Sequence, residues 1–510
     1  MAQETLLGID IGTSGTKTVL FGTDGKAITS HTVEYPMYQP NNGWAEQDAS
    51  DWWNAVAAGI RHVLAKSGAD PALIRGVGLS GQMHGLVMLD RDGEVLRRSI
   101  IWCDQRTGAE VAQINRLLGE RRVVGITANP AMTGFTAAKI LWVRNNEPEI
   151  YGKCAHILLP KDYIRYKLTG EFATEVSDAG GMQLMDIPAR DWSPEVLSKL
   201  SIDRSLLAKM HESQDMTGQV HKAAAAETGL RAGTPVAGGT GDNMGAAIGA
   251  GVIKEGIAFT TIGSSAVVYA VSDKVTIDLQ GRVHTLCASV PGKWTVMSCT
   301  QGAGLSLQWL RNTCCAPEVE RAAAESADPY YIMDKLAAEV PIGARRLLFL
   351  PYLMGERSPH PDPDCRGVFF GLSAMHGRAE LIRAVLEGVT YSQRECVDVF
   401  KEMGVTINDM LACGGGARSS LWRQMLADLY ACPVSLTEAD EGPALGVALL
   451  AGVCSGVYGS IDQACSIAVR KGRVQQPDMA AHARYEPYFR LYKKLYRDLK
   501  ADFAELAGIE

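Results

Sequence analysis

No apolar run in the 510 residues approaches the ~18 needed to cross a bilayer, so no membrane contact is expected. No Lys/Arg-rich tract occurs either. Fifty basic and 57 acidic residues give a net charge of −7, which argues against a nucleic-acid partner while leaving room for a small anion at a local backbone site. The twelve cysteines are scattered and no C-x-x-C occurs, so neither a zinc site nor a disulfide framework is expected. Reduced thiols in a cytoplasm are the simplest reading. The start, Met1-Ala2-Gln3-Glu4-Thr5, lacks the basic region of a signal peptide, which fits the same compartment. Low-complexity stretches and the Walker A pattern are missing too. A composition of 46% hydrophobic and 21% charged residues excludes a largely disordered chain, a collagen or a coiled coil. The length predicts two to four domains, at roughly 100–200 residues each. Glycine, by contrast, is plentiful at 53 residues, which points to tight turns or phosphate loops.

The pattern along the chain mixes strands and helices. Leu6 to Ile11 and Lys17 to Phe21 read as strands around the turn Gly12-Thr13-Ser14-Gly15-Thr16, with a hairpin turn at Asp24-Gly25. Trp53, Val56, Ile60 and Val63 have helical spacing, with Ser50 as the expected N-cap. Ile11-Gly12-Thr13-Ser14 is echoed by Ile262-Gly263-Ser264-Ser265, again between β-prone runs, which suggests a duplicated domain. The Gly/Ala-rich stretch 235–252 suits a hinge, with a boundary near residue 250. Tyr488, Tyr492, Leu495, Leu499, Phe503 and Leu506 outline a C-terminal amphipathic helix that must dock.

Several residues stand out chemically. Asp10 interrupts an apolar strand, which is costly unless the acid is paired or binds a metal. The turn behind it offers backbone N–H groups and hydroxyls to a phosphate, with Lys17 as a nearby cation. An acid beside such a turn suits a Mg²⁺-nucleotide site; a capped hairpin is the alternative. Gly76-Val77-Gly78-Leu79-Ser80-Gly81 fits G-x-G-x-x-G, but loop and strand follow instead of a helix, so a dinucleotide site is rejected in favour of close approach to a small ligand. Met83-His84 is expected at a glycine-flanked loop tip. Trp102, Asp104 and Arg106 suit a polyol, or equally a buried Trp beside an ordinary ion pair. Asp242, the only acid in Gly238 to Gly245, suits a general base for a hydroxyl, a helix N-cap, or both. Gly414-Gly415-Gly416, between a strand and a helix, exceeds the needs of one turn and suggests a nucleotide surface. The loop from Leu350 to Pro359 is assigned no chemistry.

Together these segments resemble the FGGY family of carbohydrate kinases. The resemblance covers Ile9 to Ser14, Gly43 to Asp48, Ser80 to Gly85, Leu159 to Tyr163, Phe172 to Asp178, Gly241 to Asn243, Gly355 to Arg357 and Gly414 to Ser419. It implies an α/β fold of two actin/hexokinase-like (ribonuclease H-like) domains, 1–250 with sugar-binding loops and 251–510 with nucleotide-binding loops and the C-terminal helix. ATP and sugar would meet in the cleft between them. By motif, Asp242 would accept a proton and Asp10 would organise Mg²⁺. Met83, His84, Asp242 and Asn243 would contact the sugar, with Asp104 added from the polyol reading. Thr13, Ser14, Ser264 and Ser265 would line the phosphates with Lys17, and Gly414 and Gly415 the nucleotide. The segment Gln82 to Gly85 points to D-xylulose as acceptor. Ribulose, gluconate or erythritol are the alternatives, and a sugar-independent ATPase of the actin fold is a more distant one. A homodimer is implied by the family. Two departures are visible: Gly263-Ser264-Ser265-Ala266 where Gly-Thr-Ser-Gly is usual, and Gly180-Gly181 where Ser-Gly is usual.

Overall fold

A computed structural model describes residues 3–437 and 441–509. The outer ends of the two expected domains, Met1, Ala2 and Glu510, and residues 438–440 of the second, lie outside that range. Two seven-stranded sheets organise the chain. In the first, Thr5–Ile11 runs antiparallel to Gly15–Gly22 on one side and parallel to Ile74–Gly81 on the other. Ala27–Glu34 closes the hairpin side; Pro235–Ala237, Thr240–Gly241 and Met216–Gln219 extend the other. The second sheet repeats this core. Gly256–Ile262 is antiparallel to Ala266–Ser272 and parallel to Ile407–Cys413, with Trp294–Thr300 outside the hairpin. The short echo between residues 11–14 and 262–265 therefore marks the same turn in two sheets of like topology.

Two helices cross between the sheets, Asp242–Gly249 and Gly442–Cys454. They meet glycine to glycine: a Cβ on Gly446 would lie 2.0 Å from the carbonyl oxygen of Gly245, and one on Gly249 would lie 2.2 Å from that of Gly442. Helix Gly442–Cys454 also lies against the first sheet, although it comes from the far end of the chain. A Cβ on Gly8 would be 2.0 Å from the Ala444 oxygen, and one on Gly78 would be 1.9 Å from that of Val447. Gly76 faces Ala451 of the same helix. Gly76 and Gly78 of the G-x-G-x-x-G stretch thus admit a helix backbone, not the small ligand expected from sequence, while Gly81 packs against Ile11 and Lys161. The expected division near residue 250 falls at the end of helix Asp242–Gly249.

Elsewhere, local rules account for the elements. Helix Ala49–Ser67 buries Trp53, Val56, Ile60 and Val63. Its cap is Asp48, whose carboxylate accepts from the Ser50 N–H, so the cap lies two residues before the expected Ser50. Helix Met479–Ala507 docks through Tyr485, Phe489, Tyr492, Tyr496 and Phe503, while Leu506 is exposed. Among the described residues no helix is long and apolar enough to cross a membrane.

The glycine contacts set an expected outcome. Gly78→Ala should destabilise the fold by about 2–3 kcal/mol, because its methyl meets helix backbone that cannot rotate away. Gly152→Ala, at an exposed helical position with nothing near its Cβ, should leave the urea midpoint unchanged or raised. Similar midpoints for the two variants would contradict this packing account.

Candidate active site

Asp10 pairs in register with Lys17 on one side and Ser80 on the other. Ser80 in turn pairs with Thr240, so Asp242 emerges from the third adjacent strand. The parallel strands thus deliver both carboxylates to the same end of the first sheet. Ser80 Oγ donates to Asp10 Oδ1 at 2.7 Å, and the main-chain and side-chain N–H groups of Asn243 donate to Asp242 Oδ1 at 2.7 and 2.9 Å. Burial raises the Asp10 carboxyl above its usual range, against the Ser80 bond and the Lys17 charge. Burial, then the neighbouring Asp10 charge, pushes Asp242 up to about 7. Asp242 is the first residue of its helix, with Gly241 as N-cap.

The second oxygens of Asp10 and Asp242 take no protein hydrogen bond among the described residues. Two partly desolvated carboxylates side by side suit a hard cation. No cluster of three or more His, Cys, Asp or Glu residues able to cage a metal exists among the described residues. That donor set fits magnesium, which takes one or two carboxylates and completes its shell with phosphates and water. Lys17, the expected phosphate contact, pairs with Glu441 at 2.6 Å.

The first glycine turn is closed by Gly12 N–H donating to the Gly15 oxygen at 3.0 Å. Side chains brace it from behind. Tyr35 Oη donates to the Gly12 oxygen at 2.5 Å, Gln47 Nε2 to the Thr13 oxygen at 2.7 Å, and Trp102 Nε1 to Thr13 Oγ1 at 2.9 Å. Ser14 is exposed at its tip. The second turn is one residue shorter: Ile262 pairs with Ala266, whereas Ile11 pairs with Thr16. Gly263 and Ser264 are exposed, and the N–H groups of Ala303, Gly304 and Leu305 hold their carbonyls. The Ser265 carbonyl accepts from Gly263 N–H at 3.0 Å.

Behind the second turn lies a cavity of about 540 Å³ lined by Gly263, Ser264, Gln308, Asp334, Gly415 and Arg418, among others. A neighbouring cavity of about 380 Å³ includes Gly414, Gly415 and the start of helix Gly442–Cys454. Two of the three glycines are explained by packing, since Cβ atoms on Gly414 and Gly416 would strike Ile262; Gly415 alone faces open space. Sequence reading did not find Gln308 or Asp334, which carry no local motif, and it gave no role to Arg418 within Gly414 to Ser419.

On the acceptor side, Met83 is buried against Gly241, not displayed at a loop tip. His84 adopts φ 71°, and its half-buried side chain has Nδ1 3.0 Å from the Gly181 oxygen. A Cβ on Gly181 would lie 2.2 Å from that Nδ1, so a glycine is required there. Fully buried Lys139 donates to the carbonyls of His84 at 2.8 Å and Gly134 at 2.7 Å, pinning the left-handed turn. Burial brings Lys139 down to about 7. Asp104 is wholly buried. Its oxygens accept from Ala45 N–H, Arg106 N–H, and the Arg106 guanidinium, which stacks 3.7 Å over Trp44. The expected sugar contact is instead the buried ion pair that ties loop 43–48 to loop 101–107. Trp102 stays 43% exposed beside the first turn.

The chain matches the FGGY family of carbohydrate kinases, N-terminal domain, over residues 5–249, and the C-terminal domain of that family over residues 258–455. The xylulose kinase of Bacillus subtilis (strain 168) is 35% identical over 495 residues, 97% of each chain. The solved xylulose kinase from Rhodospirillum rubrum superposes with a TM-score of 0.91 at 30% identity, covering 98% of this chain and all of that one. A gluconate kinase from Lactobacillus acidophilus reaches the same TM-score at 25% identity, covering 99% of this chain and all of its own. Both sheets, the glycine turns and the paired carboxylates are thus those of a protein that belongs to the FGGY family of carbohydrate kinases.

Proposed function

We propose that this carbohydrate kinase transfers the γ-phosphoryl group of ATP to the 5-hydroxyl of D-xylulose. The observation that carries the reading is the Asp10–Asp242 pair at one sheet end, with the first glycine turn directly after Asp10 and Met83, next to His84, packed on Gly241. Relatives named xylulose kinase that align over nearly the whole chain support the choice of sugar.

Asp242 accepts the O5 proton as that oxygen bonds to phosphorus and the bond to the β-phosphate bridging oxygen breaks. A carboxyl near 7 is well matched to that task. Asp10 would hold Mg²⁺, which when bound supplies neutralisation of phosphate charge. Thr13, Ser14, Ser264 and Ser265 offer hydroxyls and amides to the phosphates, with Lys17 nearby, and Gly414 and Gly415 border the nucleotide. Met83, His84 and Asn243 serve the sugar; Asp104 is left out of the sugar contacts because its oxygens are already occupied.

Asp242→Asn should lower kcat by about 10³-fold or more while the sugar KM changes little, as checked by coupled ADP release. Near-normal turnover would remove Asp242 as base. The pH dependence has a definite sign: the base works only when ionised, so kcat/KM should fall below pH 7, by ~tenfold per unit, and level off above it. His84→Ala should raise the D-xylulose KM by about tenfold and the ATP KM less than twofold. Across D-xylulose, ribulose, gluconate and erythritol, kcat/KM should be highest for D-xylulose; a higher value for gluconate would favour the aldonate reading that the gluconate kinase neighbour raises.

A further inference from the structure

Arg357 lies in the loop that the sequence left without chemistry, in the C-terminal domain. That loop is closed by reciprocal main-chain bonds between Glu356 and Asp362, at 2.9 and 3.0 Å. Buried Glu356 anchors it: Oε1 accepts from the N–H groups of Arg357 and Gln301, at 2.7 and 2.8 Å. Gln301 begins the segment whose amides hold the second glycine turn, so Arg357 is fixed to the phosphate side of the cleft.

Its guanidinium points toward the acceptor side. Nε donates to His284 Nε2 at 3.3 Å, and Nη2 lies 3.9 Å from Met132 Sδ. Among the described residues no carboxylate pairs with it, which is unusual for a half-buried cation. The partner imidazole is neutral for structural reasons. Asn129 donates through Nδ2 to the carbonyls of Thr127 and Thr285, so its Oδ1 faces His284 Nδ1 at 2.8 Å. His284 therefore carries its proton on Nδ1 and receives Arg357 on Nε2. The same logic applies to His84. Its Nδ1 faces the Gly181 carbonyl and carries the proton, which leaves Nε2 as an acceptor with no partner among the described residues. Phe135 touches both rings, with centroids 4.6 Å from His84 and 6.0 Å from His284. The Arg357 charge, after burial, helps to hold both imidazoles well below their usual pKa.

A guanidinium that, among the described residues, meets only an imidazole nitrogen and a thioether thus stands in one domain near an imidazole acceptor of the other. We propose that Arg357 is a specificity-determining contact to the acceptor: its guanidinium donates to the C2 carbonyl of an α-hydroxy ketone while His84 Nε2 accepts from the adjoining hydroxyl. This rests on the ketose-kinase reading above and extends it by assigning the keto group a partner from the C-terminal domain.

The test compares wild type, Arg357→Lys and Arg357→Met by steady-state kinetics, with xylitol, which lacks the carbonyl, as competitive inhibitor. Arg357→Met should raise the D-xylulose KM by about tenfold or more, leave the ATP KM within about twofold, and move the xylitol inhibition constant by less than about threefold. Arg357→Lys should fall between. The unchanged ATP KM doubles as the control for folding. An unmoved D-xylulose KM, or equal losses for D-xylulose and xylitol, would overturn the assignment. Wild-type turnover of D-xylulose is read first: its absence defeats the ketose reading itself, whereas an active wild type with an unaffected variant defeats only the Arg357 contact.

Discussion

The architecture depends on two helices that touch through bare backbone. Helix Gly442–Cys454 can lie on the first sheet only because Gly8, Gly76 and Gly78 present no side chains to it. Helix Asp242–Gly249 can cross it only because Gly249 and Gly446 do the same, with Gly245 held tightly against Pro443. Ridges of larger side chains would hold helices 8–10 Å apart. Here the close approach sets where the first residue of helix Asp242–Gly249 emerges, and that residue is the acid beside Asp10. Catalytic geometry is therefore inherited from the omission of Cβ atoms where helix backbone packs on helix and sheet.

Electrostatics does the rest. Two like charges share one sheet end, and the protein supplies them with fewer donors than they have lone pairs. The cost of desolvating them is tolerated where a cation and a substrate proton will arrive. The acceptor side follows the opposite rule. Its imidazoles are kept neutral by burial and by nearby Lys139 and Arg357, so they recognise hydroxyls as dipoles and not as ions.

Sequence alone made part of this legible. An acid inside an apolar strand, followed by a glycine-hydroxyl turn, was visible as an anomaly, and its echo near residue 262 indicated a second sheet of the same kind. The 3.6-residue pattern identified helix Met479–Ala507, though Leu506 lies off its buried face. What failed were questions of partner. Gly76 and Gly78 called for a close neighbour, and nothing local told a ligand from a helix more than 350 residues downstream. Asp104 looked available until Ala45 and Arg106 were seen to occupy it. Lys139, Asn129 and His284 carry no motif, and Arg357 sits in one that showed no chemistry, because their meaning comes from contacts across the fold.

The two glycine turns are alike in topology but differ in what supports them. The first is wedged by Tyr35, Gln47 and Trp102, each with a specific donor. The second is suspended from the amides of residues 303–305, which almost any amino acid can supply, apart from the tight spot at Gly304. Sequence drift is therefore unequally tolerated between the halves of this duplicated fold: the later loop can lose a glycine and keep its shape, while the earlier one is bound to the identity of three distant neighbours.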